Sequence, residues 1–352
     1  MKRSQFSATA GLSLCVLMAA VMMFSLTSCN HKDLYFDGET RYASEFTIDY
    51  ALDWEQPYDN KTDWISQWSS LNLGFSYDEL RPSVPEGVRM KAFNTDGTTV
   101  ETNMPATGEE TYLPPGENSL LFYNNDTEYI IFNDMASYKD ASATTRSRLR
   151  PTYTGNPEYQ PARSSGDELT VAAPDVLFGH YIDSYIQHRD TKAQQLSFTM
   201  QPLVFTYVIR FRFDEGYNYV ALARGALAGM ARAVYLHNGR TSAETATVLY
   251  DCTLEPWGIQ AIVKSFGIPD FPNPAYSRGS NDFAITLEVM LKNSKIVTFN
   301  FNITDQMSIQ PHGGVITVDG LKISPEQGDP GGSGFDVDVD DWGEFEDVEI
   351  EF

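Results

Sequence analysis

From residue 46 onward, apolar and polar residues alternate with a period of two in one short run after another, the pattern of strands with one covered face. Such runs occur at 46–54 (FTIDYALDW), 71–77 (LNLGFSY), 87–93 (GVRMKAF), 177–186 (LFGHYIDSYI), 245–252 (TATVLYDC), 261–267 (AIVKSFG), 283–292, 296–303 and 314–323. Two hairpins are predicted. One spans 120–132, where Asn124-Asn125-Asp126 separates two apolar runs; the other uses LKNSKI to join 283–292 to 296–303. The stretch 196–213 predicts a long strand. Tyr207, Ile209, Phe211 and Phe213 form its apolar face, while Val208, Arg210 and Arg212 make the other face increasingly basic. The Ala-rich block 218–239 has a helical composition, but its glycines favour strand, tight bend, strand. Helix is expected only as a short turn around DWISQWSSL. Between 134 and 169 the alternation fades into a polar stretch with three prolines, which predicts a long linker and a domain boundary near 166.

The two ends depart from this pattern. Lys2 and Arg3 precede an apolar run at 11–26, the layout of a secretory signal too short and too early for a stable span. It stops at Leu26-Thr27-Ser28-Cys29, which resembles a bacterial lipobox. That resemblance implies cleavage before Cys29 and acylation of its thiol and new amine, with two or more acyl chains giving a stable anchor. Cys15 would leave with the signal, so Cys252 is the only thiol remaining and is expected to be a buried hydrophobe. At the other end, EQGDPGGSG leads into GFDVDVDDWGEFEDVEIEF, in which Phe335, Val337 and Val339, then Val348, Ile350 and Phe352, alternate with acidic residues. These six are the candidate donor-strand residues. An extended segment with period-2 apolar teeth suits the open edge of a sheet.

Charge narrows the partners. The chain carries −23, and loss of Lys2 and Arg3 with the signal makes the remainder −25. Such a balance argues against nucleic acid and anionic lipid as direct partners. Metal and catalytic readings are weak, and no metal, cofactor or enzymatic activity is expected. Asp336, Asp338, Asp340 and Asp341 alternate on a strand pattern without an EF-hand loop, and His180 and His188 lack ligand spacing. GGSG at 331–334 is a linker rather than a nucleophile elbow.

The lipobox, the strand-rich body, the block ARGALAGMARAVYLHNG, the segment CNHKDLYFD and the closing GFDVDVDDW…VEIEF together resemble the fimbrillin-like, type V pilin-like outer-membrane lipoproteins of Bacteroidetes. The resemblance implies an all-β fold: two β-sandwich domains (transthyretin-like, Greek-key) in tandem, with an extended C-terminal strand tail. The divisions expected are a signal peptide at 1–28, a lipidated tether or propeptide at 29–45, sandwiches at 46–166 and 167–325, and a linker with donor tail at 326–352. It also implies a structural or accessory subunit of a surface fimbria that partners other subunits by strand addition and the outer membrane through lipid on Cys29. Processing by a trypsin-like protease is implied too, with Arg41, just ahead of the first convincing strand, as the candidate site; Arg146, Arg148, Arg150 and Arg163 are expected to be accessible in the linker. The alternative is a non-polymerising surface lipoprotein that binds glycan or a host ligand through exposed Trp54, Trp64, Trp68 and Trp257.

Overall fold

The computed structural model describes residues 41–57, 59–160, 168–272, 282–329 and 346–348. The chain divides into two compact units, Met1–Arg41 and Tyr42–Phe352. In the second, the strands run β1 (Tyr42–Tyr50), β2 (Gly87–Asn94), β3 (Thr99–Pro105), β4 (Glu110–Leu113), β5 (Gly116–Tyr123), β6 (Ile130–Asn133), β7 (Ser142–Thr145) and β8 (Ser147–Leu149). There follow β9 (Thr170–Ala172), β10 (Phe178–Gln187), β11 (Gln194–Pro202), β12 (Phe205–Glu215), β13 (Val220–Ala231), β14 (Ala233–Tyr235) and β15 (Thr245–Asp251). The series closes with β16 (Thr253–Glu255), β17 (Gly258–Ser265), β18 (Ala284–Leu291), β19 (Ile296–Asn302), β20 (Gly314–Lys322) and β21 (Glu346–Val348). The helices are short: α1 (Trp64–Leu71), α2 (Thr304–Met307) and α3 (Pro325–Gly328).

The first sandwich is one sheet, β3-β2-β5-β10-β11-β1-β4, whose two halves share a core. Phe46 on β1 meets Phe122 on β5 edge to face at 5.2 Å, and Phe198 on β11 lies 4.5 Å from Phe122. The second sandwich packs β16-β17-β12-β20 against β19-β18-β13-β15-β9-β8-β21. Tyr207, Ile209 and Phe211 of β12 and Leu227, Phe283, Ile285 and Leu287 opposite them are buried in its core. A small sheet, β14-β7-β6, fills the space beside β5 with Ala143, Val234 and Phe266. β5 is therefore covered on both sides, Leu120 and Phe122 inward and Leu121 and Tyr123 outward, which explains the unbroken LLFY run.

The all-β architecture expected from the alternation is present, and several local expectations are corrected. The change of sheet falls between Pro202 and Phe205, not near 166, because β10 and β11 pair with β5 and β1 and complete the first sheet. The run 196–213 is accordingly two strands. Residues 120–132 are not a hairpin: β5 pairs with β2 and β10, and β6 with β7. LNLGFSY is not a strand but the end of α1 and the loop after it. The Gly/Ala block does not double back. β13 runs through with a register shift between Leu227 and Met230, where Gly229 sits at φ 93°, and β14 then joins the small sheet.

The largest revision concerns 134–169, which is not simply a linker. It supplies β7 and β8, and the stretch that follows β8 lies on the outer face of the second sandwich. There Asn156 donates to Thr286, Thr152 to Glu288, and Tyr153 to Glu168. Polar residues of the segment meet polar residues of the strands beneath, so a buried interface carries no hydrophobic signal in the sequence.

Candidate functional site

The C-terminal strand β21 lies antiparallel on β8, with Glu346 opposite Leu149, Asp347 opposite Arg148 and Val348 opposite Ser147. β8 in turn meets β9, where Thr170 Oγ1 donates to the Arg148 carbonyl at 2.6 Å and the Ala172 amide donates to the Arg146 carbonyl. One side of β8 is thus fixed to the body, and the other is the sheet edge that β21 occupies. Arg146, Arg148 and Arg150 alternate along this segment. Arg148 lies over the Tyr129 ring at 5.3 Å. Arg150, at the end of β8, turns inward: its side chain is fully buried, donates to the Gly225 carbonyl at 2.9 Å and lies 3.5 Å from Glu288. Glu288 also accepts from Arg224 at 3.2 Å, so one buried carboxylate anchors two guanidinium groups. Desolvation pushes the Arg150 pKa below its usual value, with Glu288 opposing. Arg150 is therefore an anchor for β8 and not the accessible arginine expected. Arg146 and Arg148 are half-buried and flank Ser147, and Arg163 lies outside the described residues.

Of the donor residues read from the sequence, Val348 is on β21; Phe335, Val337, Val339, Ile350 and Phe352 lie outside the described residues, as do Cys29 and the aspartates at 336, 338, 340 and 341. Arg41 is exposed and immediately precedes β1, at the border of the two compact units. β1 itself is integral to the first sandwich. It runs parallel to β11 and antiparallel to β4, with Phe46 and Ile48 in the core. Ser44 donates to Gln187 at 2.5 Å and lies 2.8 Å from the Tyr185 hydroxyl.

The tryptophans do not form an exposed platform. Trp54 and Trp68 are buried 5.5 Å apart and pack with Leu73 on Val208 and Val315, the outer face of β12 and β20. Asp63 caps α1 by accepting from the Ser66 amide, and Trp64 and Trp68, four apart, belong to the same packed cluster. Trp257 is partly buried and lies under Arg210 at 5.0 Å. This cap covers the side of β12 that the sequence read as becoming basic.

Where the sandwiches meet, a cavity of about 270 Å³ is lined by Asp59, His180, Phe205, Phe271 and His312. His312 stacks on Phe205 at 4.2 Å, and its Nδ1 is 3.0 Å from Asp59. His180 stacks on Phe198 at 4.3 Å, and desolvation lowers its pKa. Among the described residues, no three His, Cys, Asp or Glu side chains are grouped to hold a metal. Cys252 packs against the second core, and burial pushes its thiol far above the usual range. The sequence reading missed the role of β8; the RSRLR pattern in a strongly acidic chain was the available signal.

Comparison with known proteins adds an independent line. A curated relative from Bacteroides ovatus, designated a candidate fimbrium anchoring subunit, Fim4B, is 26% identical over 185 residues. The match takes in 52% of this chain and spans about half, 52%, of that relative. A crystal structure of a candidate adhesin from the same species superposes with a TM-score of 0.54 at 17% identity, covering 84% of this chain and 99% of that one; it supports the fold alone. The fimbrillin-like resemblance drawn from the sequence is borne out. The family model described as a domain of unknown function, DUF5119, matches residues 63–251, more than half of the 352, and the chain belongs to that family.

Proposed function

We propose that this chain is an accessory subunit of a surface fimbria, exported as a lipoprotein and joined to other subunits by strand addition. Its role is structural rather than catalytic. The observation that carries the reading is the seating of a terminal strand, remote in sequence from the last helix, on the edge of an existing sheet. Main-chain pairing of that kind is transferable between subunits, because it needs only an extended segment and an unpaired edge. The fimbrial designation of the Bacteroides ovatus relative supports the same reading. Lipid on Cys29 would tether the subunit at the outer membrane. Cleavage after Arg41 would release Cys29 to Arg41 at the border of the compact unit and leave β1 in place. Burial of Trp54 and Trp68, with Trp64 and Trp257 partly buried, weighs against a glycan-binding role resting on those four rings.

The test is intact-mass and N-terminal peptide analysis of the protein recovered from the surface of its native cells and from sheared fimbriae. The expected result is that the chain co-purifies with fimbriae, either from Tyr42 without lipid or from an acylated Cys29. The first form identifies a released subunit and the second a membrane-held anchor. Absence from the fimbrial fraction in both forms overturns the proposal.

A further inference from the structure

Two polar side chains that line the cavity between the sandwiches are left without partners by the fold. Gln56 is 5% exposed, and its carboxamide makes no hydrogen bond among the described residues. His312 is 8% exposed, and its Nε2 is buried without a hydrogen-bond partner. A buried polar group left unpaired is costly. Here two such groups are neighbours, since the Gln56 backbone N–H donates to the His312 carbonyl at 2.9 Å. The imidazole is also held in place. His312 Nδ1 is 3.0 Å from Asp59 Oδ2, and the ring stacks on Phe205 and meets Phe271 edge-on at 4.8 Å. With Nδ1 so engaged, Nε2 is the nitrogen left for a ligand.

The rest of the lining narrows the class of ligand. Leu203 and Phe205 are buried, whereas Tyr181 and Gln201 are exposed, so an apolar interior opens through a polar and aromatic mouth. The lining residues include no lysine or arginine, and the Asp59 carboxylate is already engaged by His312. Such a lining, in a chain of net charge −23, disfavours an anion. A carboxamide donates and accepts at once, and an imidazole nitrogen pairs with a group able to do either, which is the property of a hydroxyl. Aromatic faces beside convergent polar groups suit a ring that is apolar on one face and hydroxylated around its edge. A cavity of about 270 Å³ takes one such ring rather than an extended oligomer. We propose that this cavity binds a single neutral hexose residue, with its hydroxyls on Gln56 and His312 and its C–H face against the aromatic lining. The site is separate from the four tryptophans and does not depend on the fimbrial role.

The experiment is saturation-transfer NMR on the full-length chain with glucose, galactose and mannose, each also offered as a disaccharide carrying it at the non-reducing end. At least one hexose should receive saturation, with a dissociation constant on the order of 1 mM, as suits so small a ligand. A disaccharide that binds as tightly as the free sugar assigns the end of a glycan; binding of the free sugar alone assigns a free hexose. Gln56→Leu is close in size and removes only a carboxamide that holds nothing in the protein. It should weaken binding about tenfold and leave the melting temperature unchanged or raised, which a merely structural residue would not do. Tyr181→Ala, at the exposed mouth, should weaken binding about threefold. Tyr112→Ala, another exposed aromatic, on β4, should leave it unchanged. Saturation of none of these sugars at about 20 mM overturns the proposal. Binding that survives both Gln56→Leu and Tyr181→Ala overturns it as well, because the sugar then sits elsewhere.

Discussion

At the scale of single residues, two buried acids dominate the expected chemistry. Glu55 has no exposed surface, accepts from Tyr77 at 2.7 Å and from Asn60 at 2.6 Å, yet burial raises its pKa from 4.5 to about 7. The folded protein keeps this proton over a range where the unfolded chain has released it, so folding takes up a proton between about pH 4.5 and 7. Stability should fall as pH rises through that window and level off above it, by an amount of order 3 kcal/mol. Urea melts from pH 4.5 to 8 check this, and Glu55→Gln should flatten the slope. Glu288 acts through its partners. Its carboxylate is the shared partner of Arg150 and Arg224, all three side chains being nearly inaccessible. Glu288→Gln removes the carboxylate that two buried cations share and should cost about 3–5 kcal/mol in chemical denaturation. A reversal of Arg212, whose partner Asp319 is half exposed, should cost under ~1 kcal/mol.

At the scale of elements, legibility followed the contrast between the faces of a strand. β2, with buried and half-buried residues strictly alternating, was readable to within a residue, as were β15 and β18. β12 was read correctly on its inner face and incompletely on its outer face, because the partner covering Val208 and Val315 comes from a segment far away in sequence. β8 is three residues long with no fully buried side chain, below what any periodicity can register. β20 shows how an edge is closed by side chains alone. Gln310 accepts from the Val315 amide and donates to its carbonyl, both at 2.9 Å, and Gln306 does the same at Thr317 at 2.9 and 3.0 Å. Each amide reproduces what a neighbouring strand would offer, shielding an edge otherwise prone to pairing. Gly314 makes room for this, since a Cβ there would stand 2.0 Å from Gln310 Oε1. Replacing both glutamines with alanine should lower stability by about 1 kcal/mol per site. It should also produce self-association in sedimentation velocity that the native chain lacks.

At the scale of the whole molecule, the sheet edges decide what the protein does with its surface. The body is held by the cores of its two sandwiches and the small sheet between them, and among the described residues none of those cores contains a residue beyond Ile323. β8, the edge on which β21 lies, is fixed from below by Arg150, and the tail is expected to add little to the stability of the body. Two consequences follow for a chain ending at Asp329. Its melting temperature should stay within a few degrees of the full-length value, because among the described residues the pairing lost is that of Glu346, Asp347 and Val348. Its amide exchange should accelerate in the edge strand Ser147–Leu149 while β13 and β18, in the middle of the same sheet, keep their protection. A large drop in melting temperature on truncation would make the tail a structural strand of its own domain. Selective deprotection of β8 alone would make it a strand designed to leave.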